Sequence, residues 1–438
     1  MKIGLISLSG IQVHDQELLN RGLTLPGIVE RSKVIASLPN LGLLILGGLT
    51  PPEHQLKYVD IDDLGQLNSL DNDFDLVAIS SYSARIREAY QMANYFQQRN
   101  MQVVMGGLHV SSLPQEAAQY CDSVLVGEGE LLWPKVIRDA EAGVLKPIYN
   151  AKGQEFDLKN APMPAYHLLD PEKYNRITVQ TGRGCPYRCE FCASSILITQ
   201  KYKQKPIEKV LKELDTIQAI WKRPFIEFVD DNAFINKSYW KKLLTQMKSR
   251  KLHWFAETDI SVSEDEQLLQ LMQESGCVQI LVGLESPTIE GLEGIELRNN
   301  WKKNKLPSYL EAIHKIQSHG IRVIGCFIVG LDGHDSKIFD QVYQFSIDSE
   351  LFDIQITLPT PFPGTPFYSR LRQAGRLLEP EAWDRCTLFD LNFKPNYMSV
   401  SELRDGFRDL VMRLYSDELT TWRKSNFKKY IKQLSYQN

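Results

Sequence analysis

The chain predicts an α/β protein: a doubly wound parallel-sheet N-terminal domain, then a partial (β/α)6 barrel, then a small helical C-terminal region. Three observations carry this. Strand and helix patterns alternate along the 438 residues, the order that builds parallel sheets. Several strands are apolar throughout, as parallel strands covered on both faces must be. The second half holds six strand–helix units, too few to close the usual eight-unit barrel.

The first domain is read over residues 1–150. Its strands are "KIGLIS", "QLKYVDI", "FDLVAIS", "QVVMGG" and "DSVLVG". Between the third and fourth, Ile86, Tyr90, Ala93 and Phe96 share one helix face. Such sheets bind ligands at the carboxyl ends of their strands. Residues 151–174, rich in Pro, Asn, Asp and Lys, read as a linker. The barrel, residues 175–375, takes the strands "RITVQTG", "FIEFV", "HWFAE", "VQILVG", "IRVIGCFIVG" and "DIQITLP". Its first helix sets Ile207, Val210, Leu211, Leu214 and Ile217 in register. Residues 376–438 read as a charged helical cap.

Hydrophobic residues make up 43% and charged residues 24%, ordinary for a globular protein. A formal net charge of −4 argues against a general nucleic-acid or anionic-membrane binder. The apolar N-terminus is short and lacks a cleavage site, so it reads as a strand and not a signal peptide. The longest apolar run elsewhere, "LGLLILGGL", is too short to span a bilayer. Seven cysteines, an odd number without an export signal, argue against a disulfide framework. The expectation is a cytoplasmic protein with a small-molecule or lipid substrate, no nucleic acid and no integral membrane segment.

Three of those cysteines, Cys185, Cys189 and Cys192, crowd into "GRGCPYRCEFC". Zinc sites usually come as two pairs closing a tetrahedron, and here a fourth local ligand is missing. Cys277 is the nearest other thiol in sequence and reads as a buried small residue. A thioredoxin-like dithiol would leave Cys185 unexplained. Thiolates are the ordinary ligands of iron–sulfur clusters, and three on a four-iron cluster leave one iron open for a substrate or cosubstrate. Gly182 and Gly184 permit a sharp turn and close approach, and Pro186 stiffens the loop. The bland reading is three core or zinc cysteines.

With "CPYRCEFC" leading a partial barrel, the chain resembles the radical SAM enzymes over about residues 176–367. The resemblance implies a 4Fe-4S cluster whose open iron binds S-adenosylmethionine (SAM), which is split to methionine and a 5′-deoxyadenosyl radical. It implies an electron donor such as a flavodoxin or ferredoxin, and a place for Phe191 near the adenine. It makes Asp230 and Asp231 in "EFVDDNAF", Glu257 in "WFAETDI", Glu285 and Ser286 in "LVGLESP", and Gly330 in "CFIVGLDG" candidate SAM contacts. A carboxylate at a strand end is often only a helix cap, but several acids at successive strand ends share the rim with the cysteines.

The first domain resembles the cobalamin-binding domain found ahead of many radical SAM enzymes. The residues carrying this are Gly106, Gly107, Gly127 and Glu128 in "VVMGGLHVSSLPQEAAQYCDSVLVGEGE", with Ser80 and Ser81 on the neighbouring strand. Ordinary strand-to-helix turns are the alternative. The D-x-H-x-x-G motif of many cobalamin proteins is absent, and His14 has the wrong neighbours. His109 is a candidate contact. The segment "PTPFPGTPFYSRLRQAGRL" resembles the barrel exit of the hopanoid-methylase-like branch. There Phe362, Phe367 and Tyr368 line a substrate entrance or pack the barrel edge, and Cys386 follows as a bystander.

Together these predict cobalamin-dependent C-methylation of an unactivated carbon. A radical SAM enzyme without methyl transfer is the alternative, and a non-catalytic iron–sulfur or zinc scaffold is the outside one. No catalytic side chain is assigned from the residues alone.

Overall fold

The computed structural model describes residues 1–8, 10, 11, 13–21, 38–70, 73–174, 176–194 and 201–437. Residue 175, the expected start of the barrel, lies outside them. The first sheet contains β1 (Lys2–Leu8), β2 (Gln55–Ile61), β3 (Leu76–Ser81), β4 (Gln102–Gly106), β5 (Ser123–Val126) and β6 (Ile148–Asn150). Their order is β2-β1-β3-β4-β5-β6, all parallel. β6 is a strand that the sequence reading misses, because three residues are too few to display a period.

Alternation explains the apolar strands. Val77, Ile79, Val103 and Met105 face the helix Ile86–Gln97, whose Ile86, Ala89, Ala93 and Phe96 are buried. Leu76, Ala78, Val104 and Leu125 face the opposite layer, the helices Leu41–Leu49 and Trp133–Glu141. Neither face is left to water, so no polar alternation is possible.

The second sheet contains β7 (Arg176–Val179), then, after the small antiparallel pair β8 (Gly182–Arg183) and β9 (Lys203–Gln204), β10 (Phe225–Phe228), β11 (His253–Thr258), β12 (Cys277–Glu285), β13 (Arg322–Ile328) and β14 (Asp353–Thr357). The six long strands run in chain order, parallel and unclosed. Their outward residues, among them Phe228, Trp254, Ile280, Val282 and Ile354, pack into the core. The residues between them are more polar: Glu257, Gly283, Cys326 and Gln355 face the inside.

Residues 151–174 are not a loose tether. Ala161, Ala165, Tyr166, Leu169 and Tyr174 are buried. The Ala165 N–H donates to the Leu44 carbonyl, and the Tyr166 hydroxyl donates to the Thr178 carbonyl at 3.0 Å. This segment fixes one sheet against the other. The fit is close at Gly48, where an added Cβ would lie 2.0 Å from the Met163 carbonyl oxygen. Gly48→Ala is therefore expected to destabilise the protein by about 1–3 kcal/mol, although alanine favours helix, measured as a lowered denaturation midpoint.

Candidate active site

The carboxyl ends of the two parallel sheets face a common cavity of about 710 Å³. Its wall takes Ser80, Ser81, Gly107 and His109 from the first sheet, and Asp231, Glu257 and Glu285 from the second. Cys185, Cys189, Cys192 and Phe191 form the wall between them. Strand ends are where both architectures place ligands.

Two consecutive acids shape the cysteine loop. Asp230 accepts the Thr181 N–H at 2.6 Å and the Thr181 hydroxyl. Asp231 accepts the Gly184 N–H at 2.6 Å and the Ser194 hydroxyl. Between these anchors the chain turns at Gly184, φ +92°. Arg183 reaches back to the first sheet's loop, pairing with Glu128 and, at 2.8 Å, with Glu130. Lys203 also pairs with Glu128 at 2.7 Å. The far side is held by residues 295–297: the Glu190 N–H donates to the Ile295 carbonyl, and the Leu297 N–H to the Arg188 carbonyl. Tyr187 stacks on Trp301 with ring centroids 4.5 Å apart.

All three loop cysteines are free thiols. Asn232 Nδ2 donates to Cys185 Sγ at 3.8 Å, and Asn232 is itself fixed by Asp259 at 2.8 Å. Burial pushes the Cys185 thiol up to about 11 and raises Cys189 further. Among the described residues, no three His, Cys, Asp or Glu side chains converge as on a single ion. Three soft donors spread along one cavity wall fit a multi-iron cluster, whose irons are separate ligation points.

The predicted acids divide. Asp231, Glu257 and Glu285 border the cavity. Asp230 does not: it is fully buried behind the loop with both oxygens on Thr181, and burial raises its carboxyl to about 6. Glu257 opens onto the cavity, yet the surrounding protein, with Glu227 and Asp231, raises its carboxyl to about 7. Ser286 is also misassigned. His334 Nδ1 accepts the Gly330 N–H at 3.3 Å, which leaves Nε2 to donate to Ser286 Oγ at 2.9 Å. That tautomer locks Ser286 away from the cavity and makes the pair structural, not a nucleophile and its base. Gly330 faces the helix Val400–Leu414 and the segment before it: a Cβ there would meet Leu403 at 2.8 Å and Phe393 at 3.3 Å. Its φ of +94° and that packing account for the glycine.

The first sheet's candidates divide as well. A second cavity of about 270 Å³ opens beside the first, bordered by Ser80, Gly106, Gly107, Gly127 and Glu128. At Gly106, among the described residues, a Cβ would meet only Leu125, at 3.7 Å, an ordinary contact that does not demand glycine. The missing side chain leaves the cavity floor bare, as a bulky ligand needs. Gly127 is different: its Cβ would meet the Ala151 backbone at 3.2 Å, so residues 151–174 demand the glycine. Glu128 spends its charge on Arg183 and Lys203 and accepts the Phe156 N–H at 2.7 Å. Although burial works against it, those partners hold its carboxyl below the usual range. Ser80 accepts from Asn40 Nδ2 at 3.1 Å, and His109 Nε2 pairs with Glu116 at 3.2 Å.

Of the aromatics near the barrel exit, Phe362 borders the cavity, while Phe367 and Tyr368 are core. The segment after residue 375 returns to the site: Cys386 and Leu388 border the cavity, and the Leu388 carbonyl accepts the Leu358 N–H at 2.8 Å. Cys326, Asn232, Asp259 and Lys302 also border it and escape the sequence reading. "WKKNK" looks like a solvated charged turn, but Trp301 stacks on the cysteine loop and Lys302 is buried at the cavity.

Residues 179–346 match the family model of the radical SAM superfamily, and residues 365–437 match one described as a domain of unknown function. The chain is 27% identical over 370 residues to bacteriochlorophyllide d C-12(1)-methyltransferase of Chlorobaculum tepidum, covering 82% of this chain and 80% of that one. It is 27% identical to the hopanoid C-2 methylase of Rhodopseudomonas palustris, covering 80% and 67%. In fold it is similar to TsrM of Kitasatospora setae, a radical SAM methyltransferase solved with cobalamin and a [4Fe-4S] cluster bound. The TM-score is 0.68 at 15% identity, over 95% of this chain and 89% of that one. Among the described residues, no helix is long and apolar enough to cross a membrane.

The buried His334–Ser286 pair carries a pH signature. Burial lowers the His334 pKa to about 4, against about 6.5 for an unfolded histidine. The unfolded chain therefore binds the extra proton between those values. Stability from this residue is intact above pH ~6.5 and falls as pH drops towards ~4, by up to ~3 kcal/mol. The difference in thermal midpoint between the parent and His334→Gln, followed from pH 4 to 7, is expected to show this slope, because the buried carboxyls that titrate in the same range with the opposite sign are common to both.

Proposed function

We propose that this chain, which carries a radical SAM domain over residues 179–346, is a cobalamin-dependent radical SAM methyltransferase acting on an unactivated carbon of a small-molecule or lipid substrate. The observation that carries the reading is the cavity itself. Three free thiols of one loop and the strand ends of two parallel sheets border a single space. The methyltransferase names of the relatives support the choice of reaction. In this reading residues 1–150 form the corrinoid unit, 151–174 the connector, 175–375 the radical SAM barrel and 376–438 the cap.

When bound, the four-iron cluster with SAM supplies the 5′-deoxyadenosyl radical, and methylcobalamin supplies the methyl group. The chain's own residues hold and orient. Cys185, Cys189 and Cys192 ligate the cluster, and Asn232 steadies Cys185 by its hydrogen bond. Phe191 offers an apolar face to the adenine. Asp231, Glu257 and Glu285 are the acids on the SAM side, and Glu257, which makes no ion pair among the described residues, suits the methionyl ammonium. Ser80, Ser81, Gly106, Gly107 and His109 border the corrinoid side. Leu358, Phe362 and Leu388 give the cavity wall an apolar stretch, which favours exclusion of water from the radical step. A low-potential carrier such as a flavodoxin or ferredoxin supplies the electron, and the cytoplasm, which keeps thiols reduced, is the compartment this chemistry suits.

The test is anaerobic reconstitution with iron and sulfide, then incubation with SAM, hydroxocobalamin and reductant. The expected products are 5′-deoxyadenosine and S-adenosylhomocysteine with corrinoid retained. Cys189→Ala is expected to lower deoxyadenosine at least 100-fold. Deoxyadenosine without corrinoid binding selects the non-methylating enzyme, and neither cluster nor SAM cleavage selects a scaffold. Calorimetric titration of SAM checks Glu257. A carboxyl with a pKa near 7 is ionised above that value, so SAM affinity is expected to rise from pH 6 to 8. Glu257→Gln is expected to flatten the rise and to weaken binding about tenfold at pH 8 (~1.4 kcal/mol).

A further inference from the structure

Lys302 enters the cavity from the short helix Trp301–Lys305 and is only 6% exposed. Its ammonium donates to the Gly283 carbonyl at 2.8 Å and to Glu285 Oε1 at 2.6 Å. The surrounding chain is distorted to make this pair. β12 bulges between Gly283 and Glu285, slipping in register against β13. Glu285 adopts φ +63°, a left-handed conformation unfavourable for a residue with a side chain. Gly283 leaves the necessary room, since a Cβ would lie 2.8 Å from Glu285 Oε1 and 3.1 Å from Lys302 Nζ. Strained backbone, a bulge and a glycine converge on one buried pair, an arrangement that a surface salt bridge does not need.

The pair is also tied to the cysteine loop. The Lys302 N–H donates to Glu296 Oε2 at 3.1 Å, and Glu296 bridges to Cys189 across the antiparallel contact of their backbones. Lys302 and Glu285 border the same cavity as Cys185 and Cys189. In a buried site such charges act more strongly than in water.

We propose that Lys302, oriented by Glu285, is a positioning residue that sets the reduction potential of the centre held by Cys185, Cys189 and Cys192. The inference rests on the cluster reading given above. The centre takes up one electron from an external low-potential reductant and becomes more negative by one charge. A nearby ammonium favours the reduced form, and a nearby carboxylate the oxidised form. Holding both signs against the thiols offsets their effects, so removing either charge moves the potential in its own direction.

The experiment is a mediated redox titration of the reconstituted full-length protein without SAM, followed by the electron paramagnetic resonance signal of the reduced cluster. Iron content and circular dichroism accompany each variant. Lys302→Gln is expected to lower the midpoint and Glu285→Gln to raise it, each changing the reduced-to-oxidised ratio at fixed potential about tenfold, or ~59 mV. Lys302→Arg keeps the charge and is expected to stay near the parent. A parent protein with a reducible cluster whose midpoint is unmoved in both glutamine variants overturns the proposal. Shifts of both in the same direction also overturn it, because general loosening has no sign. If Lys302→Gln loses its cluster, Glu285→Gln decides: a raised midpoint upholds the proposal and an unmoved one overturns it. A parent protein that holds no cluster overturns the underlying radical SAM reading instead.

Discussion

Everything at the centre of this molecule depends on two neighbouring carboxylates that grip one loop. Asp230 and Asp231 lie just beyond β10, after Val229, and between them they take the Thr181 and Gly184 amides and two hydroxyls. Backbone N–H groups in a tight turn have no partners of their own, and leaving them unpaired in a buried site costs as much as a lost hydrogen bond. The carboxylates supply those partners and hold the turn that projects Cys185, Cys189 and Cys192 into the cavity. Without that grip, the spacing of the cysteines along the chain would not become a spacing in space.

The sheets give the grip its setting. Outward residues of the barrel strands are apolar and sink into the helical layer, while the inward ones leave carboxyl, thiol and amide groups facing the cavity. Polar groups facing inward are tolerable only where a ligand or water meets them. The first sheet turns its own strand ends toward the same space, with bare Gly106 on the floor of the smaller cavity beside it. Two parallel sheets are thus set with their carboxyl edges together, the edges at which such sheets place ligands.

Much of this was legible in the residues. The alternation of strands and helices, the six barrel units and the cysteine loop all follow from short-range pattern, and short-range pattern is what a sequence displays. The errors share a cause: they lie where a side chain's direction is decided by something distant. Asp230 and Asp231 look alike on paper, yet successive residues leave a strand on opposite sides. Ser286 is claimed by His334, 48 positions away. Gly330 answers to Leu403 and Phe393, and Gly127 to the Ala151 backbone. Lys302 was invisible because a lysine among lysines reads as solvent-facing, and only its helix's placement on the cysteine loop buries it.

Arg183 stands inside the cysteine loop but spends its charge on Glu128 and Glu130 beyond the first sheet, with Lys203 joining it. The loop's posture is therefore written partly in the segment that follows β5 of the first sheet. Such an arrangement restricts recombination in evolution and in the laboratory alike. A barrel joined to a foreign partner lacking those two acids would carry an uncompensated guanidinium at the root of its cysteine loop. The four side chains form a unit of inheritance that crosses the domain boundary, and a productive chimera must take them together.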